Sequence, residues 1–493
     1  MGGTLVTMLL KITVFISGAS IMILEIVGAR VLAPYLGTSI IVWTSLLGAV
    51  MVSLSVGYFF GGKIADKKSD YKILSLIIFL SGVAIGATAA FKSSILLFVQ
   101  PQIVDIRWAS LIGAFLLFAP ANILLGAVSP YSVKLQFSDP KYIGSTVGTL
   151  YAISTIGSIV GTYATGFFLL SYFGNTNLLF SLASLLVFLS LVVYPDKVKT
   201  KCLVVLIFSL ASFANSELKK ELATDGFIDI DTDYNRAWIT ESFDSFTGRP
   251  VRSLSTGARY IQSVMFIDGD DLVVEYTKFF NLADYYNSNI RKALMVGGGA
   301  YSYPKNFLAN HKNAEMDVIE IDPGLTRLAK KFFNLNDSPR LKIFHEDGRV
   351  FLNRTQNKYD AVFIDAFASS IPFHLTTKEF VAEVFDHLNE NGVVVMNTIG
   401  SMGGNTGKFI RAEYATYKLF SDLVYIFPVQ GTNDSVQIQN LILVAVKSDK
   451  KMTNDSPKFE KYFDNLWAGK IDNDTPVLTD DFAPVDQYLA DVF

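Results

Sequence analysis

The chain is 493 residues long and 51% hydrophobic, with a net charge of −3; that is enough for two domains or three and carries no basic footprint for a nucleic-acid partner. Its one cysteine, Cys202, excludes an internal disulfide and a cysteine-based zinc site. Four scattered histidines (His311, His345, His374 and His387) show no metal-ligand spacing and read as surface or packing residues.

The hydrophobic excess lies between residue 1 and about residue 215. Six runs, about 9–34, 39–62, 72–91, 108–133, 143–172 and 175–194, reach the roughly 20 apolar residues a helix needs to cross a bilayer. A seventh, about 201–215, has an apolar core of only about 14 residues, a length at which an interfacial or re-entrant segment competes with a span. The first run continues too far for a cleavable signal peptide. Lys63, Lys67, Lys68 and Lys72 follow the second run, Lys134 and Lys141 the fourth, and Lys197, Lys199 and Lys201 the sixth. All three loops fall on one side, which the positive-inside rule makes cytoplasmic together with the N-terminus. A seventh full crossing would carry the rest of the chain out of the cytoplasm. A seventh segment that does not cross leaves it inside, near nucleotide-derived cofactors, and that placement is the expectation. Gly144-xxx-Gly148 and Gly157-xxx-Gly161 suit close helix packing. Glu25 and Arg30, ionisable groups in or beside a span, suit either mutual pairing or a polar substrate or headgroup site. The stretch Gly57–Lys67 loosely resembles a cytoplasmic loop of major-facilitator transporters.

From about 228 to 275, β-branched and aromatic residues alternate with turn signals at 244–248 and 268–271, predicting a small antiparallel sheet. From Ala293 strands and helices alternate, predicting a parallel α/β sheet with strands at Ala293–Val296, Met316–Ile321, Leu341–Phe344, Tyr359–Ile364 and Gly392–Asn397, and a helix near Thr377–Leu388. The expected domains are a transmembrane helical bundle of six to seven spans at 1–216, a β-rich subdomain at 217–285 and a Rossmann-like nucleoside-binding catalytic domain at 286–493. Ligands of open α/β sheets bind beyond the carboxyl ends of the strands. Four features stand there in order. Gly297, Gly298 and Gly299 let backbone approach a ligand. Glu320 can accept from ribose hydroxyls. Asp347 and Gly348 are placed to meet an adenine amino group, and Asp365 follows the fourth strand. The series reads as a nucleoside site, without the Gly-x-x-x-x-Gly-Lys loop of P-loop proteins.

These residues resemble a family. Tyr234-Asn-Arg236, Gly257-x-x-x-x-Gln262, Glu275-Tyr276, Val296-Gly-Gly-Gly299, Val318-Ile-Glu-Ile-Asp322, Glu346-Asp-Gly348, Phe363-Ile-Asp365 and Leu478-Thr-Asp-Asp-Phe-Ala-Pro484 are similar, in that order, to the spermidine synthases (polyamine aminopropyltransferases), and the whole chain to their membrane-fused branch. The resemblance implies a Rossmann-like fold of the S-adenosylmethionine-methyltransferase type, and transfer of an aminopropyl group from decarboxylated S-adenosylmethionine, or S-adenosylmethionine itself, to an amine. It implies that Gln262, Gly297, Gly298, Gly299, Glu320, Asp347 and Gly348 hold the donor. It makes Asp365 the base that takes the amine proton and puts Tyr276 and Asn235 in the acceptor slot, with no metal needed. The sequence departs from the family where acids that recognise amines usually stand, at Ala300 and Ala368. Two alternatives therefore stay open: methyl or aminocarboxypropyl transfer to a lipid or membrane-bound acceptor, and a transporter with a nucleoside- or polyamine-sensing domain. The expected partners are the bilayer and a small amine or lipid, with homo-oligomer formation left open.

Overall fold

The structure, a computed structural model, describes residues 2–103, 105–136, 143–224, 226–257, 261–366, 371–448, 451–453 and 456–492. Ala368 and Lys141 lie outside the described residues. The chain divides into two compact units, Met1–Asp225 and Gly226–Phe493.

In the first unit seven helices are long and apolar enough to cross a membrane: α1 (Gly2–Leu36), α2 (Ile40–Lys67), α3 (Tyr71–Gln102), α4 (Ile106–Gln136), α5 (Ile143–Ala164, extended by a π-helical turn at Thr165–Leu169), α6 (Asn175–Val193) and α7 (Val198–Thr224). They mark a multi-pass membrane unit. Small residues let backbones touch. A Cβ on Gly157 or Gly161 would fall 2.1 Å from the Phe15 oxygen or 2.6 Å from the Ala19 oxygen of α1, and one on Gly57 or Gly61 would meet α4 at 2.2 or 2.6 Å. In hydrocarbon, close packing of this kind replaces the hydrophobic drive that helices lack there. The other glycine pair differs from expectation: nothing lies within 4 Å of a Cβ at Gly144 or Gly148.

The seventh segment is not short. α7 runs for 27 residues, about 40 Å at the helical rise, because polar residues 215–224 prolong the helix beyond its apolar core. It lies antiparallel to α6 and is bonded to it at both ends. At one end the Lys201 ammonium donates to Asp196 Oδ1 at 2.8 Å, Ser75 Oγ at 2.7 Å and the Ser190 and Tyr194 carbonyls at 3.3 Å. At the other, Asn177 on α6 bonds to Ser212, Asn215 and Ser216. Lys201 is therefore not a loop charge. It is buried, and it adds a charged donor to carbonyls at the end of α6 that already accept from Ser75 and from backbone amides.

The second unit begins with an antiparallel sheet, β1 (Ile228–Asp231), β2 (Arg236–Phe243), β3 (Pro250–Ser255) and β4 (Ile261–Phe266). A seven-stranded sheet follows: β5 (Lys292–Val296), β6 (Glu315–Ile319), β7 (Leu341–Phe344), β8 (Tyr359–Ile364), β9 (Leu388–Gly400), β10 (Leu423–Pro428) and β11 (Gln439–Val446), in spatial order β10-β11-β9-β8-β5-β6-β7. β5 to β9 pair in parallel, and β10 and β11 form an antiparallel hairpin against β9. This is the Rossmann-like, methyltransferase-type order. The strands pair because their apolar runs are buried on both faces, as Val393–Met396 and Ala361–Ile364 are. The parallel strands and their approximate ends follow the sequence reading, whereas the hairpin was not foreseen.

Replacing Lys201 with Met leaves Asp196 without its ammonium partner and takes one donor of several from the Ser190 and Tyr194 carbonyls. Asp196 is partly exposed and can be rehydrated, so we expect a loss of about 1.5 kcal/mol, the lower end for hydrogen bonds to a charged group, read as a lowered unfolding midpoint of the detergent-purified chain. A midpoint equal to wild type would show that α7 docks without help from the Lys201 bonds.

Candidate active site

Four parallel strands deliver their carboxyl ends to one edge of the large sheet, and the chemistry of the second unit gathers there. Gly297 leaves β5 with φ +96°, and a Cβ at this position would lie 2.4 Å from the Asp365 carbonyl oxygen, so no side chain fits between the two strand ends. The Asp365 amide in turn donates to the Val296 carbonyl at 2.9 Å. Glu320, one residue past β6, is turned into this corner. Its Oε2 accepts from the Gly298 and Gly299 amides at 3.0 Å each, and its Oε1 accepts from the Asp322 amide at 2.9 Å. Burial pushes this carboxyl up, and the three amides pull it back down. Glu320 therefore already shapes the glycine turn, leaving part of its accepting capacity for a hydroxyl.

On β4, Ser263 Oγ accepts from the Ala300 amide at 3.2 Å, tying the small sheet to the glycine turn. The neighbouring Gln262 carries a buried side-chain oxygen with no hydrogen-bond partner. A buried acceptor left open is costly, and it suits a ligand donor.

Asp347 caps the short helix α8 (Gly348–Leu352), its Oδ1 accepting from the Arg349 amide at 2.9 Å and the Val350 amide at 3.2 Å. Its Oδ2 pairs with His374 Nε2 at 2.8 Å. The His374 bond, ahead of the backbone amides, holds the Asp347 carboxyl below its ordinary range. A Cβ on Gly348 would meet Val296 at 2.7 Å, which places this cap against the end of β5. The Arg349 guanidinium grips Asp480 of the tail through two bonds of 2.6 Å and reaches the His374 carbonyl at 3.4 Å. The Leu478–Pro484 motif thus holds the turn that bears His374.

Asp365, one residue past β8, has each oxygen occupied by a neutral donor. Oδ2 accepts from the Tyr276 hydroxyl at 3.1 Å and Oδ1 from Asn397 Nδ2 at 2.9 Å, while Asn397 Oδ1 accepts from Asn440 Nδ2 at 3.0 Å. Burial raises the Asp365 carboxyl, and the Asn397 and Tyr276 bonds partly offset it. Tyr276 itself is pushed far up, by burial first and then by the Asp365 charge, so it stays a proton donor in its bond.

Nearly all the residues expected from sequence converge here; Asn235 does not. It closes the turn between β1 and β2 and bonds to Asp322 Oδ2 at 3.0 Å, which anchors the small sheet to the end of β6, and no bond joins it to Asp365 or Tyr276. Ala300 is fully buried and offers no acid. Among the described residues no group of three or more His, Cys, Asp or Glu could hold a metal. Sequence reasoning missed four contributors. Asn397 stands at a strand end and could have been found by the rule that found the others. Asn440 arrives on the antiparallel β11, and Asp480 and His374 are brought in only by the tertiary fold.

A family model described as spermine/spermidine synthase domain matches residues 277–430. A polyamine aminopropyltransferase of Vibrio vulnificus is 32% identical over 193 residues, 37% of this chain and 63% of the relative. A probable polyamine aminopropyl transferase of Bifidobacterium longum is 28% identical over 245 residues, 43% of this chain and 52% of the relative. The chain thus spans between about half and two thirds of the length of these curated relatives. A crystal structure of a probable spermidine synthase from Corynebacterium glutamicum aligns with a TM-score of 0.42 at 20% identity, covering 49% of this chain and 88% of that one. The family match lies wholly within the second unit of this chain.

Proposed function

We propose that the second unit is a transferase that moves an aminopropyl group from an S-adenosylmethionine-type donor to an amine. The observation that carries this reading is Asp365: a carboxylate at the strand end, beside the glycine turn, held by two donors that do not titrate in the working range. The open oxygen of Gln262, the Glu320 carboxylate and the turn that no Cβ could enter fit the nucleoside of such a donor. When bound, the donor supplies an electrophilic carbon and a thioether leaving group. Asp365 orients the acceptor amine and takes its proton as the nitrogen bonds to that carbon, and the carbon–sulfur electron pair departs with the thioether, so charge balances. Tyr276 and Asn397 fix both oxygens while this happens.

A second reading is favoured by Ala300, whose burial without an acid leaves no carboxylate there to grip a donor amine. In it the same donor site serves methyl or aminocarboxypropyl transfer to a membrane-bound acceptor. Incubation with S-adenosylmethionine or its decarboxylated form, followed by mass spectrometry, separates the two. Methylthioadenosine from the decarboxylated donor supports aminopropyl transfer, methylthioadenosine from S-adenosylmethionine itself supports aminocarboxypropyl transfer, and S-adenosylhomocysteine supports methyl transfer. In the first case Asp365→Asn should lower turnover on the order of 10²–10⁴-fold, the span of a positioned base, with methylthioadenosine affinity nearly unchanged. Wild-type turnover in a folded variant would remove the base.

The pH dependence follows from the same bonds. Asp365 must be ionised to accept a proton, so activity rises with pH through its raised pKa. Asn397→Leu removes a donor that favours the charged form, which lifts that pKa further. The acidic limb of the kcat profile should therefore move to higher pH. An unmoved limb would detach Asn397 from Asp365.

We propose a side of the membrane for this unit as well. The cytoplasmic expectation needs a last segment that stops within the membrane. A helix bonded to α6 at both ends supports a seventh crossing instead, and an odd number of crossings would put residues 226–493 on the side opposite the lysine-bearing loops. With Cys202 replaced by Ser, an impermeant thiol reagent on intact cells should label a cysteine introduced at Lys312 and spare one at Ser69. The reverse pattern would restore the cytoplasmic placement.

A further inference from the structure

Glu25 is an acid inside a membrane helix, and no described side chain neutralises it. It stands about 16 Å in from the Leu36 end of α1 at the helical rise. It is half-buried and makes no hydrogen bond or ion pair with a described residue, so the pairing with Arg30 that the sequence allowed is not made. Asn122 on α4 is fully buried. Its Nδ2 donates to the Phe118 carbonyl at 3.0 Å, while its Oδ1 has no partner. Packing sets these two groups at one depth. A Cβ on Gly113 of α4 would lie 3.6 Å from Leu36 and 4.0 Å from Leu32, and one on Gly28 would lie 3.1 Å from Phe118. The two helices are thus antiparallel, and their register brings Asn122, one turn beyond Phe118, to the level of Glu25, one turn before Gly28. α5 runs parallel to α1, with Gly157 against Phe15 and Gly161 against Ala19. Continuing that register, the part of α5 level with Glu25 is the π-helical turn Thr165–Leu169, which packs on α1. Such turns recur at functional sites.

We propose that Glu25 and Asn122 are the acceptors of a site within the membrane unit that takes a primary amine in its charged form. An ionisable group at this depth is costly and is kept where it meets a partner or a polar pathway. A carboxylate and an amide oxygen left open are acceptors, so what completes them is a donor that carries positive charge. An ammonium has three N–H donors and no acceptor, which matches the carboxylate and the Asn122 oxygen with one hydrogen to spare. The choice of an amine over an inorganic cation rests on the transferase reading given under Proposed function, in which a molecule of the same class is the acceptor. The site gives the membrane unit a part in handling that substrate, which the transfer chemistry alone does not require. The competing state is a protonated Glu25 that satisfies the bundle without any ligand, and Glu25→Gln imitates it.

The test is equilibrium dialysis of radiolabelled 1,4-diaminobutane against the full chain in lipid nanodiscs, with saturating methylthioadenosine and with empty nanodiscs as the lipid background. Wild type should bind at two sites, one in each unit. Glu25→Gln should weaken one of them about 10–100-fold, the span for a hydrogen bond to a charged group, and leave the other as it was. Asn122→Leu should weaken the same site as Glu25→Gln, and Asp365→Asn the other. Because the two acids lie in different units, the site each variant keeps reports that the chain is folded. A Glu25→Gln variant that binds at both sites as wild type does overturns the inference. A single wild-type site lost in Glu25→Gln and kept in Asp365→Asn upholds the membrane site and overturns the amine slot at Asp365. A single site lost only in Asp365→Asn overturns the membrane site alone, and no binding by wild type overturns both.

Discussion

A carboxylate at a buried strand end is costly unless its oxygens are given donors, and the functional edge of the second unit is arranged around that requirement. Glu320 is met by three backbone amides, Asp347 by two amides and a histidine, and Asp365 by a phenol and an amide side chain. The donors differ, and so do the consequences. Amides of a turn cannot leave, so Glu320 is a fixed part of the glycine corner. The donors to Asp365 are side chains with no charge of their own, so this acid keeps a raised affinity for a proton while remaining oriented. Glu413 marks the contrast: it is fully buried on helix Lys408–Tyr417, neither oxygen has a partner, and its carboxyl is driven well above its ordinary range. An acid without donors stays protonated and cannot act as a base, whereas Asp365 keeps a donor on each oxygen.

The membrane unit answers the same requirement with other means. A helix end in or near hydrocarbon leaves carbonyls open, and at the end of α6 the Lys201 ammonium fills that role while Ser75 shares in it. Where no polar group intervenes, glycines bring backbone against backbone, as at Gly57, Gly61, Gly157 and Gly161. The glycines at 144 and 148 have the same spacing but no partner within the chain. Spacing describes a helix face and does not say what that face meets.

That distinction also explains how far the sequence could be read. Glu320, Asp347 and Asp365 are legible because each follows an apolar run within three residues, and strand ends are where parallel sheets expose side chains to ligands. The length of α7 was not legible from hydropathy. Its last turns are polar, and hydropathy measures lipid exposure rather than helix continuation. Asn235 sits in a matching motif, and what the motif does not tell is that its side chain bonds to Asp322 and so helps anchor one sheet on another. His374 and Asn440 left no local mark, and Asp480 stood in the Leu478–Pro484 motif without a visible role, since each acts through a partner far away in sequence.

These distant contributors share one property: none needs to touch a transferred atom to matter. Asn440 orients Asn397, which orients Asp365. Asp480 orients Arg349, which holds the turn that bears His374. In both chains a rigid sheet supplies the reacting carboxylate, and elements outside the first five parallel strands set its angle. β11 does this on the amine side, and the tail at 478–484 does it on the nucleoside side. The parallel core can therefore keep its donor corner while the antiparallel hairpin and the tail change what that corner accepts. Such a division is consistent with a chain that retains the glycine turn and Glu320 while carrying alanine at residue 300.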